Sequence, residues 1–375
     1  MSNTASHDLS PGTAHAGTDN GGNKMGYLNR CLLVLGLGSA LGVASPSMRI
    51  GLSLDKSEPY ALHLSHGGFY FAGHNKQNDA ESHRIEVYSA DLSTKIKDIN
   101  VPHTVETIGV LSPTEVLVVG KHFGSEWHGY FTVVSIANGN FSAKTTQLST
   151  EFMPEFFAGT NGQLFFNEAG NAGVFRWAKS SGKMLTPKLS GPGRMAFTGK
   201  DLFVIERRDL FLFGDEQLKR INPTTQKAEA VFPTNRNGLS QVQYLATPGL
   251  IAVSEIEANL VHIIDPASNQ VVDSFTSPSP DGLFPVGNCV AVSSRNDKQA
   301  SLVLVGRNRT AKTLESWDLS ALGDNILNTR HITADAASKR IYVRSQDLCP
   351  SCISSRNVVA VIENLEDSFK TCFEK

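Results

Sequence analysis

Three apolar runs separated by two polar turns make up residues 250–275, LIAVSEIEANLVHIIDPASNQVVDSF, and the chain repeats that pattern loosely from one end to the other. The second strand of each unit is read in turn as GGFYFAG, EVLVVG, QLFFN, DLFVIE, LIAVS, SLVLVG and KRIYVR. The polar residues that follow are His74, Lys121, Glu168, Arg207, Glu255, Arg307 and Ser345. These markers recur every 38–52 residues, the size of a four-stranded propeller blade. A second marker keeps step: a strand that runs into a turn at 88–91, 134–137, 175–178, 219–222, 263–266, 316–318 and 361–364.

Each unit is built of short β-branched and aromatic runs bounded by Gly, Asn, Asp, Pro and Ser, the pattern of strands and tight turns. Asn222-Pro223 and Asp265-Pro266 put proline at the second position of a turn, where its fixed φ suits types I and II. A sheet of this size cannot bury its own faces, so neighbours stacked around an axis must supply the core. A β-sandwich needs far fewer strands, and no long window shows the 3.6-residue period of an α-solenoid. The expected fold is all-β: a seven-bladed β-propeller of four-stranded antiparallel blades over 49–375. Its blades are expected at 60–102, 103–149, 150–190, 191–233, 234–277, 278–328 and 329–375. Two closures of the ring fit. Residues 49–54 could add the outer strand of the last blade, or residues 369–373 could fill that place themselves.

The segment DPASNQVVDSF and the run Ala336-Ala-Ser-Lys-Arg-Ile-Tyr-Val343 resemble YVTN-type propeller repeats. The tetrapeptide itself is missing; IYVR at 341–344 is the nearest text. The resemblance extends over the repeat region and implies the fold. The group includes surface-layer proteins, lactonase-like propellers and the non-catalytic heavy subunits of quinoprotein amine dehydrogenases, so it implies no single function.

Residues 1–24 are polar and lack an apolar run, which predicts a disordered extension. Residues 25–44 place a basic residue before the short apolar stretch CLLVLGLGSALGVA, the signature of a secretory signal. The stretch is shorter than a spanning helix requires. The expectation is a secreted or periplasmic protein with no membrane insertion after cleavage. Cys31 would leave with the signal, and Cys289, Cys349, Cys352 and Cys372 would remain, allowing three pairings. Cys349 and Cys352 are the expected local disulfide. Cys289 reads as part of an inner strand and Cys372 as part of an outer one, so a bond between those two is not expected.

The net charge is −2 and no block of Lys or Arg stands out, which disfavours nucleic-acid binding. No GxSxG elbow or phosphate loop is present, and no cofactor is expected. In a propeller, the loops joining strands two and three share a face with the blade-to-blade connections, and loops on a rigid scaffold are where function collects. His74, Lys121, His122, Glu168, Arg207, Glu255 and Arg307 are therefore the candidate binding residues around one channel mouth. They would also read as ordinary solvated turn residues. The early histidines raise the question of a metal, with His74, His122 and Glu168 as the candidate ligands; spacing alone assigns none. The resulting expectation is an exported, monomeric ring binding a protein or a small polar ligand at the channel mouth. The alternatives are a metal-dependent lactonase-like hydrolase and the heavy subunit of a quinoprotein dehydrogenase.

Overall fold

A computed structural model describes residues 45–54, 63–74, 83–123, 127–148, 154–160, 163–168, 173–178, 181–185, 192–207, 215–232, 234–323, 329–345 and 357–374. The polar extension, the signal-like segment and the Cys349/Cys352 pair all lie outside these residues. The described strands form seven four-stranded antiparallel sheets. Their inner strands are His63–His66, Thr107–Ser112, Pro154–Thr160, Pro192–Phe197, Leu239–Leu245, Pro280–Val286 and Thr329–Asp335. Each is followed outward by its second, third and outer strands, so the expected seven-bladed propeller is the fold observed.

The strands alternate the way a sheet packed on both faces requires. In blade 5, Ile251 and Val253 face the fourth blade, while Leu250 and Ala252 face the sixth. Seven apolar clusters result, one for each interface between neighbouring blades. Burying each large side chain in such a cluster stabilises the ring by roughly 1.5–3 kcal/mol.

The first closure holds. Ser47–Leu54 is the outer strand of blade 7 and pairs antiparallel with Asn357–Glu363, Met48 opposite Ile362 and Arg49 opposite Val361. A bulge falls at Gly51, where a Cβ would lie 2.5 Å from Val361 Cγ2 and 2.7 Å from Leu92 Cδ1. Arg49 donates to Glu363 at 3.1 Å and to the Asp91 carbonyl at 2.7 Å. Tyr342 donates to the Ala90 carbonyl at 2.6 Å, so the seam is tied from blade 7 into blade 1.

Two sequence expectations are corrected. Residues 369–373 are not an outer strand but part of the helix Glu366–Phe373, whose first turn carries Glu366 and Asp367, a favourable placement of acids at a helix N-terminus. That helix buries Phe369 and Cys372 against blades 6 and 7. Cys372 thereby meets Cys289 and the two form a disulfide, with Cα atoms 5.2 Å apart at a sequence separation of 83. The separation expected between an inner and an outer strand does not arise, because the chain folds back as a helix after Asn357–Glu363. The Asn288 amide donates to the Cys372 carbonyl at 2.6 Å and its side chain to the Glu374 carbonyl at 2.7 Å.

The second correction concerns blade 6. Its second strand is Cys289–Ser294, and SLVLVG belongs to the third, Gln299–Val305. The strand marker therefore slips by one strand in this blade alone.

Removing the disulfide that closes this long loop should cost about 2–5 kcal/mol. Calorimetry of a Cys289→Ser/Cys372→Ser variant, or of the protein under reductant, should show a melting midpoint several degrees lower. An unchanged midpoint would mean that the disulfide contributes nothing to ring stability.

Candidate binding site in and around the central channel

The seven candidate residues do not share one role. His74 ends the second strand of blade 1 opposite Arg84 and is half-buried. Lys121 lies 3.7 Å from Glu106, and its amide donates to Thr104 Oγ1 at 3.0 Å. His122 sits opposite His128 in the ladder, and both meet the edge of the Tyr130 ring. His103 stacks on the same ring, its Nδ1 2.6 Å from the Thr104 carbonyl oxygen and its Nε2 2.8 Å from Thr132 Oγ1. Burial pushes the His103 imidazole down to about 4, against the bond to Thr104, with His83 and His122 pushing further in the same direction. Glu168 pairs with Pro154 at the end of its strand; its side chain lies outside the described residues.

Arg207 donates to the Leu239 carbonyl at 3.1 Å, joining blade 4 to blade 5. Glu255 is only 5% exposed. Its Oε2 lies 2.7 Å from His262 Nε2 and 3.7 Å from Arg236 Nη1, while His262 Nδ1 lies 3.0 Å from the Ser274 hydroxyl. Arg307 follows the third strand of blade 6, so its loop opens on the opposite face of the ring. The residue on the intended face is Arg295, which donates to Asp281 at 2.9 Å; Asp281 also accepts from Ser240 of the preceding blade.

A pattern unites these contacts. Asn167 donates to the Gly193 carbonyl, Thr329 to the Ser294 carbonyl, and the Ser65 amide to Thr333 Oγ1. Polar side chains thus stitch blade 3 to 4, 4 to 5, 5 to 6, 6 to 7 and 7 to 1, so several residues that read as solvated are structural. Among the described residues, no three His, Cys, Asp or Glu side chains are grouped to hold a metal. The candidate set His74, His122 and Glu168 includes a side chain, that of Glu168, which lies outside the described residues.

The channel itself was not legible as a site. A cavity of about 320 Å³ runs between the inner strands, lined by residues from all seven blades. Register shifts between the inner and second strands recur at 154/157, 192/195, 239/242, 280/282 and 329/331, and bulges of this kind re-aim side chains. Where the backbone leaves the ladder, side chains of the second strand take its place: the Phe156 amide donates to Asn167 Oδ1 at 2.7 Å and the Gln241 amide to Ser254 Oγ at 3.0 Å. Phe156, Arg194, Gln241 and His331 line the cavity at or beside these bulges. The signal was a single polar or aromatic residue just before the apolar core of an inner strand, as in Arg194-Met195-Ala196-Phe197.

No family model matches the chain, and no curated protein matches it. Among solved structures, the Myceliophteria thermophila Cps50 (Swd1) β-propeller domain gives a TM-score of 0.57 at 9% identity, over 84% of this chain and 99% of that one. A puromycin hydrolase variant gives 0.50 at 13% identity over 79% of this chain and 53% of that one, so the chain spans about half of that enzyme's length. A chain of the nidogen/laminin complex gives 0.48 at 10% identity, over 68% and 95%. At these identities the likeness is one of fold. Fold and comparison together define the class, a seven-bladed β-propeller.

The burial of Glu255 sets a direct expectation. Glu255→Ala strands the His262 and Arg236 side chains and should lower the unfolding free energy by about 3 kcal/mol. The neighbouring exposed change Glu257→Ala should stay within about 0.5 kcal/mol. Denaturant melts of both variants compare the two; equal, small effects would refute the structural role assigned to Glu255.

Proposed function

We propose that this propeller is an exported binding module that presents the face of its second-to-third strand loops to a protein partner. The observation that carries this reading is a set of exposed polar residues in the loops of that face over blades 4 to 6, including Asn235, Asn237, Glu257, Asn259 and Asn296. The set stands on fixed backbone. The Ile256 amide donates to Gly238, the Ser279 amide to Asn259 Oδ1 at 2.7 Å, and the Arg295 amide to Ser279. A preordered polar surface loses little entropy on docking, which is the condition for useful affinity from a modest contact. Lys121, His122 and Arg207 belong to the same face and would extend the surface around the ring. Export is supported by the signal-like segment at 25–44 and by the Cys289–Cys372 disulfide, which persists best in an oxidising compartment. The likeness to puromycin hydrolase brings no reaction with it.

The test compares the two faces. Immobilised protein should retain a partner from the extracellular fraction of the source organism. The double change Asn237→Lys/Glu257→Lys should reduce retention about tenfold or more. Arg307→Glu, equally exposed but on the other face, should leave it unaltered. Loss with Arg307→Glu and none with the double variant would place recognition on the opposite face and refute the reading, as would the absence of any retained partner.

A further inference from the structure

The channel carries groups that the face-binding reading does not use. Phe157, on the inner strand of blade 3, lines the cavity. Its ring lies against the backbone of Gly109 in blade 2, where a Cβ would stand 2.5 Å from the Phe157 Cζ. A glycine at 109 is what lets the ring lie so close. Phe284, on the inner strand of blade 6, packs against two apolar clusters, one between blades 6 and 7 and one between blades 1 and 2. Its side chain therefore reaches across the channel. Phe157 and Phe284 give the cavity two flat aromatic surfaces.

Gln241 lines the same cavity from blade 5 and is only 7% exposed. Its backbone amide donates to Ser254 Oγ, but its side-chain carboxamide has no hydrogen-bond partner among the described residues. The carboxamide is not sealed behind other atoms, so it remains open to the cavity. Gln243, two residues on, lines the cavity half-buried, and its carboxamide likewise has no partner among the described residues. Gln243 pairs with Ala252 and Phe284 with Ala291, the third residue of the second strand in each blade. Gln243 and Phe284 therefore stand at one height on adjacent inner strands.

An amide withdrawn from bulk water is costly until something meets it. A carboxamide offers an acceptor oxygen and two N–H donors on one planar group. Its full complement is another amide edge, which sets a donor beside an acceptor and closes two hydrogen bonds at once. A hydroxyl or a ketone closes fewer. The cavity, at about 320 Å³, lies at the small end of the range for ligand sites, enough for one aromatic ring and its substituent. A flat ring gains from offset or edge-to-face contact with aromatic walls.

We propose that the channel binds a small aromatic amide. Its amide edge meets the carboxamides of Gln241 and Gln243, and its ring packs on Phe157 and Phe284. This site is distinct from the docking of a partner on the loop face. The two binding events are separate, and either can fail alone.

The probe is benzamide, read against toluene, an aromatic molecule of similar width with no hydrogen-bonding group. Ligand-observed NMR titration of the native protein should show one equivalent of benzamide bound, saturably. Gln241→Met keeps the length of the side chain and removes its amide. It should weaken benzamide binding about fivefold or more, the scale of a lost hydrogen bond, and change toluene binding less than about twofold. Gln243→Met, read the same way, gives a second and independent test should Gln241→Met fold poorly. Phe284→Leu removes an aromatic wall and should weaken both probes. The proposal is overturned if benzamide does not saturate, if its binding is indifferent to both glutamine variants, or if those variants weaken both probes equally. Binding of both probes unchanged by Phe284→Leu would place them outside the channel and overturn it as well.

Discussion

Closure of the ring is the constraint on which everything else depends. Every blade buries its two faces against neighbours, so an open arc of seven would leave two apolar faces in water. The last interface is completed by a strand from the far end of the chain: Ser47–Leu54 joins the three strands of blade 7, and Arg49, Tyr342 and Asp335 carry the joint into blade 1. The terminal helix and the Cys289–Cys372 bond hold blade 7 to blade 6 from the other side. The same blade is thus secured from both directions, by a strand that precedes the ring in sequence and a helix that follows it. Channel and loop face are both products of that closure.

Rigidity at the loop face has a separate source. Apolar clusters fill the blade interfaces, but at the strand ends the contacts become polar: Glu255 with His262 and Arg236, Asp281 with Ser240 and Arg295, Asn167 with the backbone of two blades. Buried polar groups of this kind specify one arrangement because each partner is costly to leave unmet. Blade 7 places Arg344 where blades 3, 5 and 6 place Asn167, Ser254 and Ser293, next to last in the second strand.

The fold was legible because period and alternation are local. Residues 250–275 show strands two to four of blade 5 directly, with the turn after Asp265 held by its own carboxylate accepting the Ala267 amide at 2.9 Å. Blade 6 misled because its second and third strands are equally apolar, so a marker placed after an apolar run could sit after either. The site was less legible, because burial at a strand end is decided by the preceding blade. Glu255 looks like any turn acid until Arg236 and His262 close over it, and Arg194 looks like a strand-edge charge until seven strands converge. The Cys289–Cys372 bond was not expected for the same reason: it depends on where a terminal helix packs, and no local pattern records that.

The most direct test of the closed ring is hydrogen exchange of the native protein, resolved by peptide. Amides of Ser47–Leu54 should be protected as strongly as those of Asn357–Glu363, and both should open together with the inner strand His63–His66, because all three belong to one seam. Rapid exchange across Ser47–Leu54 beside a protected remainder would show that the ring closes without its N-terminal strand, and would contradict the dependence of the fold on that seam.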